Sequence, residues 1–171
     1  MDKRNCIVGI ISCASTLCLV FGAISKSWWK FVSLNLEIGL LSITTQEGTF
    51  YRSSILKFYS LDDPRGVEKD IILILIIIGG GFSLLSFFIA VFLPCFGNGP
   101  CWFCGCTILF ITTLLAGGCS LAASIFAEIN FKSDWKQSEH GYSAQLTWAG
   151  SVLCVITFIS SFLILCRTPD D

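Results

Sequence analysis

Four long stretches of this chain carry no Asp, Glu, Lys, Arg or His: Cys6–Ser25, Ile71–Pro100, Cys101–Ala127 and Gln145–Cys166. Each holds an apolar run of about 20 residues or more, enough at about 1.5 Å per residue to cross a hydrocarbon core of about 30 Å as a helix. A helix satisfies its own backbone hydrogen bonds, which lipid cannot do for it. The pattern predicts helices near Ile7–Ser25, Ile71–Leu93, Trp102–Ala127 and Thr147–Cys166. Composition excludes the alternatives. Charged residues are 13% of 171, apolar residues are 54%, and mean hydropathy is +0.76. A soluble domain this small has too much surface to hide so much apolar material, and disorder requires low hydrophobicity. The balance of 11 basic and 12 acidic residues leaves no basic footprint for nucleic acid. The expected class is an all-α membrane protein, a single domain over 1–171 built as a four-helix transmembrane bundle.

An even number of spans puts both termini on one side, together with the turn 94–101 and the tail 167–171. The long polar loop 26–70 and the shorter loop 128–146 lie on the other. A plain count of Lys and Arg gives three on the tail side (Lys3, Arg4, Arg167) and eight opposite. The charges flanking the first helix carry more weight, and the eight are interleaved with acids. Cysteine usage points the same way as Lys3-Arg4. Neither large loop holds any of the ten cysteines, whereas Cys6, Cys95, Cys101, Cys104, Cys106 and Cys166 crowd the tail side. A thiol-rich face fits a reducing cytosol. The expectation is N-in, C-in. The first apolar run is longer than the core of a cleaved signal peptide, so it reads as a span.

Small residues mark where helices approach closely: Gly79-Gly80-Gly81, Gly117-Gly118, Ala122-Ala123, Ser120 and Ser124, and Gly9 with Cys13. Packing within one bundle is the reading taken; the alternative is a dimerisation face built on small pairs such as Gly118 with Ala122, Ser120 with Ser124, or Gly9 with Cys13. No ionisable residue falls at bilayer depth, which speaks against ion pathways and proton relays.

In the long loop, Val32, Leu34, Leu36 and Ile38 alternate with polar residues at a period of two. Ile43 and Thr45 continue a second run, Gln46-Glu47-Gly48 signals a turn, and Thr49–Ile55 reads as a third strand. A small antiparallel sheet on the bundle is therefore expected, with the helix ends and second loop supporting it. Trp28, Trp29, Phe50, Tyr51, Phe58 and Tyr59 are expected near the membrane interface, as anchors or as a recognition surface.

The layout resembles the claudin superfamily, which also holds the peripheral myelin, epithelial membrane and lens fibre membrane proteins. Trp28-Trp29 closes the first span, where the family carries a Trp. Gly39-Leu40-Leu41 stands where the family has Gly-Leu-Trp. Asp134-Trp135 is similar to a pair in the lens member's second loop. Tyr142-Ser143 followed by Trp148 looks like the start of the family's fourth span. The departures are the absence of the two first-loop cysteines, Leu41 in place of Trp, a C-terminus Arg167–Asp171 without a hydrophobic end residue, and no Asn-x-Ser/Thr sequon. The resemblance implies a divergent member nearer the epithelial, myelin and lens branch. It implies a left-handed four-helix bundle capped by an extracellular sheet, which organises membranes or contacts or accompanies another membrane protein.

Chemistry-bearing motifs are few. Cys101-Trp-Phe-Cys104 is a C-x-x-C that suits a redox dithiol, but no partner pair stands in the loops. Zinc held by Cys95, Cys101, Cys104 and Cys106 would crowd three ligands into one helix start, where tetrahedral sites use two separate arms. S-palmitoylation of Cys95, Cys101, Cys104, Cys106 or Cys166 is the favoured reading, since juxtamembrane cysteines are its usual targets; inert packed thiols are the alternative. His140, the only histidine, reads as solvated or as a pH-sensing contact.

These readings converge on a non-enzymatic tetraspan protein of the plasma membrane, without cofactor, metal or small-molecule substrate. An intracellular granule or the endoplasmic reticulum is the alternative membrane. Its partners would be lipid and either further copies of itself or a lateral membrane protein. The candidate recognition surface is Phe50, Tyr51, Arg52, Phe58, Tyr59, Trp135 and His140. An accessory subunit of a channel or receptor and a membrane thiol oxidoreductase are the other two function classes.

Overall fold

In the computed structural model, residues 3–25, 27–31, 36–45, 48–51, 66–96, 100–132 and 139–166 are described. Four helices dominate: α1 (Lys3–Ile24), α2 (Gly66–Phe92), α3 (Pro100–Lys132) and α4 (Tyr142–Leu165). Each contains a segment long and apolar enough to cross a membrane, namely Cys6–Ile24, Asp70–Phe92, Cys101–Ile129 and Tyr142–Ile164. By composition and length this is a multi-pass membrane protein. The helices overrun the charge-free runs. α2 begins five residues before Ile71 and includes Glu68, Lys69 and Asp70, α3 continues through Glu128 to Lys132, and α4 starts at Tyr142 rather than Thr147. Charge ends the part of a helix that lipid tolerates, not the helix itself. Pro100 opens α3, where a missing N–H costs nothing. At 33 residues α3 is about 50 Å long, so one end stands clear of a hydrocarbon core of about 30 Å. A short 3-10 turn, Leu93–Phe96, follows α2.

The helices form a closed ring of antiparallel neighbours, α1–α2–α3–α4–α1. Its interior mixes small hydroxyls with apolar side chains. Among the described residues, every buried polar residue is Ser or Thr, and the exposed faces carry Ile, Leu, Val and Phe. Each neighbouring pair is tied by a hydroxyl. Ser83 Oγ donates to the Ser12 carbonyl (3.1 Å), and Ser86 Oγ donates to Thr112 Oγ1 (2.9 Å). Ser124 and Ser151 hydroxyls meet at 3.1 Å, and Ser15 Oγ donates to the Gly150 carbonyl at 2.9 Å while lying 2.8 Å from Cys154 Sγ. Such bonds hold helices together where lipid tails offer no hydrophobic drive for association.

Most of the small residues serve this packing. A Cβ on Gly79 would stand 3.1 Å from the Ser120 backbone nitrogen, so α2 and α3 touch backbone to backbone there. Gly117 faces the Cys154 backbone, and Gly9 faces Phe87, Ala90 and Val91. Gly118 and Ala122 do not take part: both are exposed, and nothing lies within 4 Å of a Cβ at Gly118.

One end of the ring carries a five-stranded antiparallel sheet of β1 (Trp29–Phe31), β2 (Leu36–Ile38), β3 (Ser42–Thr45), β4 (Gly48–Tyr51) and β5 (Glu139–His140). The spatial order is β4-β3-β2-β1-β5, so the second loop completes the sheet begun by the first. The sheet exceeds the expected three strands because β1 and β5 join it. Val32 and Leu34 of the alternating run lie outside the described residues. The core is continuous with the bundle at this end: Trp28, Trp29, Ile38 and Leu40 pack with Ile72, Leu73, Ile76, Ala123, Ala127 and Ala144. A second cluster, Val8, Ala90, Leu93, Cys106, Leu109 and Ile164, fills the tail end.

Candidate functional site

Residues opposite one another in an antiparallel ladder share a face, so register sorts the sheet into two rows. One row runs Ile38–Trp29–His140, and Ile38 and Trp29 are buried. The other runs Glu37–Lys30–Glu139, with Lys30 Nζ 3.5 Å from Glu37 Oε1. The sheet thus presents alternating charge outward and an apolar row to the bundle. Beyond Ile38 the ladder continues to Ile43 and then Phe50, while Tyr51 stands opposite Ser42.

The seat of the sheet is built where α1, β1 and α4 meet. Trp28 is 1% exposed, and its indole N–H donates to the Gly22 carbonyl at 2.7 Å. Ser143 clamps this corner twice: its N–H donates to the Ser27 carbonyl (3.0 Å), and its Oγ accepts the Ser27 N–H (3.2 Å). The Gly141 N–H donates to the Trp28 carbonyl at 2.9 Å. A Cβ at Gly141 would fall 2.0 Å from the Ser27 carbonyl oxygen, so only glycine admits this approach. These contacts give Trp28 and Ser143 a packing role at this corner. Gly39 and Leu40 are buried between β2 and β3, and Leu41 is half-buried against the core.

Beside this corner lies a crevice of about 10 Å³, the room of about one water. Trp28, Trp29, Ser124, Ala127, Glu128, His140, Ala144 and Trp148 line it. His140 Nε2 stands 2.6 Å from Glu128 Oε2 and bridges β5 to α3. Their side chains are 37% and 29% exposed.

Several expectations need correction. Trp28 and Trp29 are neither lipid anchors nor a recognition surface, because the sheet covers them and both are buried. His140 is not simply solvated, since it holds Glu128. Cys106 packs inside the tail-end cluster at 1% exposure, so it offers no thiol to an acylating enzyme, whereas Cys95, Cys101, Cys104 and Cys166 are exposed. Cys6 is exposed there too, a thiol the acylation set omitted. With Cys106 inward and Cys101 and Cys104 outward, the four thiols do not converge as zinc ligands would. Among the described residues no group of three or more His, Cys, Asp or Glu could hold a metal ion. All ten cysteines are free thiols. Arg52, Phe58 and Tyr59 of the first loop, and Asp134 and Trp135 of the second, lie outside the described residues.

Sequence reasoning missed Glu128, Gly141 and the pairing of the two loops. Glu128 carried a signal in retrospect, as the first charge after a long apolar run. Neither a family model nor a curated protein matches the chain.

Proposed function

We propose that this chain is a non-enzymatic tetraspan protein with a claudin-like layout, whose two loops organise membrane or cell–cell contacts through the sheet they jointly build. The observation that carries the reading is the sheet itself. Both loops contribute strands, its inner row is fused to the bundle core, and its outer row, Glu37–Lys30–Glu139, is charged. A rigid, polar platform at one end of an apolar bundle suits recognition more than catalysis. The sheet faces the outside of the plasma membrane in this reading, with both termini in the cytosol. The exposed thiols Cys6, Cys95, Cys101, Cys104 and Cys166 then meet the reducing, acylating compartment, where lipid chains tether the tail end.

The test is a mixing experiment with tagged cells. Enrichment of the protein where two expressing cells meet, lost in Lys30→Glu with surface delivery intact, supports the reading. Even distribution along all membranes, with no self-association, overturns it. One further observation favours a second reading. Gly118 and Ala122 face outward with room beside them, which suits lateral packing against another membrane protein as an accessory subunit. Co-purification of one larger membrane partner in fixed stoichiometry would support that alternative.

A further inference from the structure

The outer row of the sheet carries its charges in a fixed order. It reads Glu139 on β5, Lys30 on β1 and Glu37 on β2, and the ladder then passes to Thr44 on β3. Lys30 and Glu37 are bound to each other, yet their side chains stay 48% and 33% exposed, and Glu139 is exposed as well. Each has room for a second partner. The connections 32–35 and 39–41, on either side of β2, bring no charged residue. Trp29 and Ile38 of the inner row are part of the bundle core, so the outer row is turned away from the bundle.

Such a row is complementary to itself. Two copies meeting face to face are related by a two-fold axis in the plane between them. An axis running along the row sets every charge against its own kind. An axis along β1 sets Lys30 against Lys30, and one along β2 sets Glu37 against Glu37. An axis beyond β2, toward β4, gives neither residue an opposite charge. An axis between β5 and β1 pairs Lys30 with Glu139 but overlaps only two strands of each copy. The axis between β1 and β2 overlaps four strands. It sets Lys30 against the second copy's Glu37 and Glu37 against its Lys30, and Glu139 falls opposite the uncharged Thr44 position. Four charges then form a square in which every neighbour has the opposite sign. We infer that the sheet docks on a second copy of this chain in a facing membrane, through Lys30 and Glu37 exchanged about the axis between β1 and β2. This deepens the contact role proposed for the sheet and rests on it. The overlap measures about 19 Å by about 10 Å, far below the roughly 800 Å² per partner of a stable soluble complex. One such contact is weak, and arrays of copies in two membranes add its strength together.

Two cell populations carrying differently coloured full-length chains test this. The readout is enrichment of both colours at borders between the populations, with surface biotinylation showing that each variant is delivered. Lys30→Glu on both sides, or Glu37→Lys on both sides, should cut the enrichment at least about fivefold, since like charges then oppose one another. Lys30→Glu facing Glu37→Lys should restore it to within about twofold of wild type, because both cross pairs are again of opposite sign. The double variant, Lys30→Glu with Glu37→Lys, keeps an ion pair within the chain. It should meet itself and fail to meet the wild type. A crossed pair no better than either single variant overturns the docking, and so does a wild type that meets the double variant as well as it meets itself. Wild-type enrichment that ignores these charges overturns the docking while leaving the contact role in place. No wild-type enrichment at all removes both.

Discussion

Ser143 is the residue on which the corner between sheet and bundle depends. Ser143→Ala keeps the backbone bond to Ser27 but leaves the buried Ser27 N–H without its acceptor. An orphaned buried donor costs about 1–3 kcal/mol, so the variant should melt earlier in detergent while remaining folded. Gly141→Ala should do worse. Its methyl would meet the Ser27 carbonyl oxygen, backbone against backbone, and neither side can yield cheaply. Loss of folded yield for Gly141→Ala, beside a measurable but lower melting temperature for Ser143→Ala, is the expected order. The cysteines divide as sharply. Acyl exchange should find lipid on the exposed set, and Cys106→Ser should leave the acylated fraction unchanged, because that thiol is buried in the tail-end cluster. Loss of acylation in Cys106→Ser would contradict this placement.

Among the elements, α2 and α3 show how similar residues take opposite roles. Gly79 sits where the two backbones meet, while Gly118 borders open space. Gly79→Leu should therefore break the bundle, as overpacking against a neighbouring backbone does. Gly118→Leu should leave its melting temperature within about 1 °C of wild type, a change well under 1 kcal/mol. Equal effects of the two would show that the ring is assembled differently. The sequence could not separate these glycines, because a small-residue stripe looks the same whether it faces a neighbour or lipid. The helices themselves were legible, since charge-free runs of this length have few other uses. β2, β3 and most of β4 were legible from alternation and the turn signal. β1 and β5 were not: three and two residues carry no period, and both are defined by pairing with distant segments. The same distance hid the His140–Glu128 bridge. Trp28 and Trp29 misled because aromatics at a span's end read as membrane anchors until a sheet is seen to cover them.

At the scale of the whole molecule, the bundle differs from a soluble one in its outward-facing apolar side chains and in the small hydroxyls mixed into its core. Hydroxyls stand in its interior beside the apolar core clusters, a hydroxyl bond joins each helix to the next, and many large apolar side chains face outward. No single hydroxyl bond should dominate: Ser86→Ala or Ser124→Ala should each cost about 0.6 kcal/mol, the average for such contacts in membranes. Among the described residues, the exposed thiols gather at one end of the bundle and the charged row of the sheet stands at the other. The central claim is that these ends lie on opposite sides of one membrane, with the sheet outside. Labelling of intact cells with a membrane-impermeant maleimide tests it most directly, comparing the native protein with Lys30→Cys, whose position is exposed on the sheet. The account predicts that Lys30→Cys is labelled on intact cells, and that the native thiols are reached only after permeabilisation and hydroxylamine treatment. Labelling of the native thiols on intact cells, with Lys30→Cys adding nothing, would contradict it.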